Sequence, residues 1–126
     1  MATVEANTEL GQQIVEDAKR YVLYSWSVQD AINPIAVAGG EGRYFWDYDG
    51  KRYLDFASQL VNVSIGHGHP KVIAAIKEQA EKLCTIGPPM ASESRSRLGR
   101  LLAEVTAADL AMSFFTNGGA EANENA

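Results

Sequence analysis

The sequence predicts an α/β fold: an N-terminal helix and a small antiparallel meander, then the start of a larger α/β domain. Three features carry that expectation. Residues 35–56 hold three short strand-like runs, the second rich in aromatics, separated by the turn signals Gly39-Gly40 and Asp49-Gly50, the pattern of a meander. Residues 70–84 and 92–105 repeat apolar side chains at helical spacing. Ala111–Thr116 is a nearly continuous apolar run, the kind found in a strand covered on both faces. The expected division is 1–66 for the N-terminal segment with its meander, part of a small domain. Residues 67–126 are expected to begin the large domain.

Composition narrows the function classes. Of the 126 residues, 46% are hydrophobic and 21% charged, as in a soluble globular protein. The net charge of −5 comes without any cluster of Lys or Arg, which argues against a nucleic-acid partner. No apolar run approaches membrane-spanning length, and the N-terminus lacks the basic-then-apolar layout of a signal peptide. Cys84 stands alone, which fits a reducing cytoplasm. The sequence closes on Glu124-Asn125-Ala126, directly after a helix onset and without a stop signal. It is therefore expected to be the truncated first part of a longer protein.

Taken in order, residues 1–8 are small and polar and expected to fray. Leu10, Ile14, Ala18 and Tyr21 share one face of a helix expected over Glu9–Tyr24. The aromatic stretch around Trp26 has no periodicity and ends at Asn33-Pro34. Trp26 there either plugs the core or lines a pocket. Ile35–Ala38 reads as a strand, Gly39-Gly40 as a turn and Gly42–Asp47 as a second strand. Asp49-Gly50 is a hairpin signal, and Lys51–Phe56 returns as the third strand. Asp47, Asp49 and Asp55 do not have calcium-loop spacing and read as turn and strand-end residues. Residues 58–65 are mixed and turn-like. His67 and His69, between glycines, lack a nearby third metal ligand, so Gly66–Pro70 reads as a tight loop opening a helix at Pro70. That helix carries Val72, Ile73, Ile76, Ala80 and Leu83 as its buried stripe. Gly87-Pro88-Pro89 breaks the chain before a second helix from about Ser92 to Val105, with Leu98, Leu101, Leu102 and Val105 inward. Its Glu93, Arg95, Arg97 and Arg100 read as a solvated face, and 106–109 as a polar connection.

After the run at 111–116 come Asn117, Gly118 and Gly119, with helix-favouring residues from Ala120. Glycines expose their N–H groups without a side chain in the way, and a helix N-terminus adds unpaired donors and partial positive charge. Such a loop suits a phosphate. The Walker and Gly-x-Gly-x-x-Gly patterns are both absent, and an ordinary strand-to-helix turn fits the same residues.

The ordered set of motifs resembles the N-terminal part of the class III aminotransferases, which use pyridoxal 5'-phosphate and have the fold type I architecture. It comprises Gly-Glu-Gly-Arg-Tyr-Phe-Trp-Asp at 40–47, Asp-Gly-Lys-Arg-Tyr-Leu-Asp-Phe at 49–56, Gly-His-Gly-His-Pro at 66–70 and Phe-Thr-Asn-Gly-Gly-Ala-Glu-Ala-Asn-Glu-Asn-Ala at 115–126. The likeness runs from about Asp17 to the end and is nearest to the branch acting on ω-amino acids or amines with a keto acid such as pyruvate.

The resemblance implies that Gly118, Gly119 and Ala120 hold the cofactor phosphate through backbone N–H groups. It implies that Leu60 and Val61 line the substrate pocket, and that Trp26 helps to wall it, often across a dimer interface. It further implies a homodimer or higher oligomer. In the family the Schiff-base lysine, the Asp on the pyridine nitrogen and the carboxylate-binding Arg come later in the chain. Lys19, Lys51, Lys71, Lys77 and Lys82 do not match the catalytic motif, so no catalytic residue is assigned and these residues alone are expected to be inactive. Two other readings stay open. One is a non-catalytic truncated paralogue, acting as a partner subunit or phosphate-ligand binder. The other is an aminomutase or decarboxylase of the same fold.

Overall fold

The computed structural model describes residues 5–107 and 109–126. The expected fraying at 1–4, and residue 108 of the expected 106–109 connection, lie outside them. The chain divides into two compact units, Met1–Ala80 and Glu81–Ala126.

In the first unit, helix α1 (Thr8–Tyr21) starts at a cap: Asn7 Oδ1 accepts the Leu10 N–H at 3.1 Å. An amide oxygen there satisfies one of the unpaired first-turn donors. Glu9 in the first turn and Lys19 and Arg20 in the last follow the order the helix dipole favours. The helix stops at Tyr21, short of the expected Tyr24, because Val22 turns extended. The Gln29 side chain holds the following loop: Oε1 accepts the Tyr24 N–H at 3.0 Å, and Nε2 donates to the carbonyls of Tyr24 and Ser27.

Strands β1 (Val37–Glu41), β2 (Tyr44–Asp47) and β3 (Arg52–Leu54) form an antiparallel sheet in sequence order. Gly39 and Gly40, expected as a turn, lie inside β1 opposite Trp46 and Phe45. The reversal comes later, at Gly42 with φ 57°. Close approach explains the shift: a Cβ on Gly39 would stand 2.9 Å from the Trp46 ring. Phe45 faces Tyr53 across β2 and β3, and their rings stack at 5.0 Å. The Asp49-Gly50 hairpin forms as expected, with Gly50 at φ 80°.

Asp47 anchors that hairpin. Its Oδ1 accepts the N–H of Asp49 at 3.1 Å and of Lys51 at 2.8 Å, and its Oδ2 accepts the Tyr53 hydroxyl at 2.7 Å. The Tyr53 hydrogen bond is the main reason the Asp47 carboxyl sits below its ordinary pKa. A carboxylate with a lowered folded pKa contributes stability above the unfolded value of about 4 and loses it as pH falls through the folded value. Tyr53→Phe is therefore expected to lower the melting temperature at neutral pH and to leave the acid-unfolded limit unchanged. The gap between variant and parent should close as pH drops below about 4. Melting curves across the acid range check this, and a pH-independent gap would refute it.

The short turn α2 (Ser58–Val61) follows, and helix α3 (Pro70–Lys82) opens at Pro70 as expected, with the His69 carbonyl accepting the N–H groups of Val72 and Ile73. It ends at Lys82, two residues before the expected Cys84. In the second unit, helix α4 (Glu93–Val105) has Ser92 at its N-cap. Its face is solvated and paired: Glu93 meets Lys82 at 2.6 Å and Arg97 at 3.7 Å.

Two expectations fail together. Ala111–Thr116 forms no strand, and Met112 and Phe114 are 96% and 76% exposed. A strand exists through its ladder, and among the described residues none pairs with this run. The stripes of α3 and α4 form on one face but are not buried; among the described residues no hydrophobic side chain is.

Candidate functional site

The glycine loop lies in the second unit. Helix α5 (Gly119–Asn125) begins one residue before the expected Ala120, with Gly118 as an extended N-cap at φ −167°. Side chains on both sides fasten the loop. The Thr116 hydroxyl donates to the Gly118 carbonyl at 3.1 Å. Glu121 Oε2 reaches back to accept the Asn117 N–H at 2.8 Å and the Asn117 side-chain amide at 3.3 Å. Gly119 and Ala120 thus occupy the first two helical positions, where N–H groups have no carbonyl partner within the helix. Nothing lies within 4 Å of a Cβ built on Gly118 or Gly119. Unpaired donors, open space and the positive helix end together fit an anionic phosphate.

The turn at 58–61 lies in the first unit and is strained. Ser58, Gln59 and Val61 have φ of 50°, 57° and 62°, where side chains are crowded. Val61 is β-branched, which makes it a genuine outlier. Leu60 and Val61 stand out into solvent, 69% and 87% exposed. Trp26 is the fourth non-glycine residue with positive φ among those described, at 60°, and is 91% exposed. It does not plug a core. Every non-glycine residue with positive φ among those described therefore falls on Trp26 or on the turn holding Leu60 and Val61. Strained backbone clusters at ligand clamps and active sites, and this is the observation behind the pocket reading proposed below for Trp26, Leu60 and Val61.

Sequence reasoning missed the pair that holds the turn. Asp55 Oδ2 lies 2.7 Å from His67 Nε2, and Asp55 Oδ1 accepts the Gln59 N–H at 3.0 Å. The Gln59 N–H, then the His67 ring, hold the Asp55 carboxyl below its ordinary pKa. His67 is itself fixed by exchange with Gly42: its N–H donates to the Gly42 carbonyl at 2.7 Å, and the Gly42 N–H returns to the His67 carbonyl at 2.9 Å. A cavity of about 490 Å³ opens beside Phe45, Asp55, Gln59 and His67. The available signal was an Asp ahead of an irregular polar stretch, the residue type that binds nearby backbone N–H groups in turns.

Similar solved structures place this fold among the transaminases. The taurine:2-oxoglutarate aminotransferase from Bifidobacterium kashiwanohense, solved in complex with PLP and glutamate, matches at a TM-score of 0.85 and 41% identity. The match covers 99% of this chain and 27% of that one. An (S)-enantioselective omega-transaminase from Thermomicrobium roseum matches at 0.86 and 34% identity, over 97% of this chain and 28% of that one. The expected fold type I architecture is theirs.

Residues 26–126 match the family described as Aminotransferase class-III, and the chain belongs to that family. Among curated relatives, a succinylornithine transaminase from Yersinia pestis is 46% identical over 90 residues, 71% of this chain and 21% of that protein. An acetylornithine aminotransferase from Synechocystis is 39% identical over 93 residues, 74% and 21% respectively. The chain thus spans about a fifth of the length of these relatives.

Proposed function

We propose that the whole protein is a pyridoxal 5'-phosphate-dependent aminotransferase moving an amino group from an ω-amino acid or amine to a keto acid such as pyruvate. The observation that carries this reading is the open Gly118-Gly119 start of α5 in a chain of the class III family. Bound there, pyridoxal phosphate supplies an electron sink for the amine carbon. The residues of this chain bind and orient. The N–H groups of Gly119 and Ala120, with help from Gly118, donate to the phosphate oxygens. Leu60 and Val61 border the donor's side chain, and Trp26 walls the same pocket. Residues 1–66 belong to the small domain and 67–126 begin the large one. The protein works in the cytoplasm as a homodimer or higher oligomer. The relatives named for acylated ornithines are consistent with a donor bearing its amine at the chain end. A second reading of the acceptor, 2-oxoglutarate, is favoured by the B. kashiwanohense neighbour.

The test is amino transfer by the full gene product loaded with pyridoxal phosphate. β-Alanine and N-acetylornithine serve as donors, and pyruvate and 2-oxoglutarate as acceptors. At least one pairing should turn over, and the acceptor preference separates the two readings. Failure of all pairings in a cofactor-loaded, folded protein would sink the proposal. Residues 1–126 alone are expected to show no turnover, and any turnover would refute that expectation.

A further inference from the structure

We propose that Asp55 is a positioning residue that holds the strained Ser58–Val61 turn in the shape that presents Leu60 and Val61 to the amine donor. The inference rests on the reading of Leu60 and Val61 as pocket residues.

The geometry is that of a clamp. Left-handed backbone at Ser58, Gln59 and Val61 is unfavourable for residues with side chains, and persists only where surrounding contacts over-determine it. The turn closes locally, with the Val61 N–H on the Ala57 carbonyl at 3.2 Å and the Asn62 N–H on the Ser58 carbonyl at 3.1 Å, and Asp55 ties it to the rest of the first unit. Its N–H donates to the Arg43 carbonyl at 2.9 Å, which ties it to the start of β2. Its Oδ1 takes the Gln59 N–H at 3.0 Å inside the strained stretch. Its Oδ2 takes His67 Nε2 at 2.7 Å, and the pair is largely withdrawn from solvent, at 16% exposure for His67 and 9% for Asp55. His67 is stitched in turn to Gly42 on the β1–β2 reversal. A glycine is required at the neighbouring Gly66, where φ is 84° and a Cβ would stand 2.8 Å from the Gly42 carbonyl oxygen. One carboxylate therefore couples the meander, the pocket turn and the Gly66–His69 loop. Secondary support comes from Ser58, whose Oγ accepts the Val63 N–H at 3.2 Å and closes the far side of the turn. Without Asp55 the Gln59 N–H loses its partner, and the turn can relax to an unstrained backbone that re-aims Leu60 and Val61.

The test uses the cofactor-loaded full gene product with N-acetylornithine and pyruvate, or whichever donor and acceptor pair turns over. Asp55→Ala should raise the donor KM roughly tenfold, about the value of one lost hydrogen bond to a charged group. Affinity for pyridoxal phosphate should stay unchanged. Asp55→Asn retains an oxygen for the Gln59 N–H and an amide that can donate to His67, and should restore the KM to within about threefold of the parent. A KM unmoved by Asp55→Ala overturns the proposal. So does a loss of cofactor affinity parallel to the rise in KM, because that marks a general structural role. Should Asp55→Ala not fold, His67→Ala decides: a rise of about threefold or more in donor KM with cofactor affinity intact supports the clamp, and no rise overturns it. Leu60→Trp run alongside tells this failure from that of the pocket reading. If Leu60→Trp leaves every donor KM unchanged, the pocket reading has failed and the clamp falls with it. If Leu60→Trp shifts KM and Asp55→Ala does not, the clamp alone has failed.

Discussion

Gly119→Asp is expected to weaken pyridoxal phosphate binding by roughly a hundredfold while leaving the protein folded. The two halves of that expectation have separate causes. Gly119 is the first residue of α5, and a Cβ placed on it meets no atom within 4 Å. An acidic residue in the first turn of a helix interacts favourably with the helix dipole, so the apo protein should melt at or slightly above the parent's temperature. On the proposed reading, the same charge stands where the phosphate accepts backbone N–H groups, and like charges repel. Gly119→Ala adds the methyl without the charge and should weaken binding far less, by about threefold to tenfold. Cofactor titration followed by its visible absorbance, with apo-protein melting curves, separates the outcomes. Equal cofactor affinity in all three proteins would remove Gly119 from the phosphate site. A lower apo melting temperature in Gly119→Asp would mean that the loop is structural.

Leu60→Trp should change which donors are accepted. Leu60 is 69% exposed, so a larger side chain costs little by overpacking its own fold. With Leu60 bordering the donor as proposed, an indole there would occupy space the donor needs. The expected result is a KM for N-acetylornithine raised roughly tenfold or more, with β-alanine changed by less than about threefold. Steady-state kinetics on both donors check it. The contrast matters more than either value: a uniform loss on both would indicate a displaced turn rather than a narrowed pocket. Val61→Trp places the same bulk one residue on, at a backbone φ of 62° that disfavours any side chain. Its effect therefore mixes pocket volume with a change in backbone strain, which makes Leu60 the cleaner probe.

The local elements were largely legible because their causes are local. The apolar face of Leu10, Ile14, Ala18 and Tyr21 marked α1, Pro70 marked the start of α3, and Asp49-Gly50 marked the hairpin. Helix-start chemistry also exposed the Gly118–Ala120 loop, since glycines before helix-forming residues need only their own backbone to present donors. Errors arose where one element answers to another. Gly39-Gly40 looked like a turn because the sequence does not reveal that Trp46 will lie across it. Ala111–Thr116 looked like a strand because its side chains suit one, yet a strand needs a partner to complete its ladder.

What the sequence alone determined was therefore the α/β class, the helix starts to within a residue, the glycine loop and the Asp49-Gly50 hairpin. The fold decided what depends on residues far apart in the chain. Asp55 and His67 read separately in the sequence, as a strand-end and a loop residue, and their meeting at 2.7 Å requires β3, the 58–61 turn and the Gly42–His67 bridge to close on one another. The positive φ of Trp26 and of the turn has the same origin. Local preference opposes that backbone, so only contacts made by the folded chain can impose it.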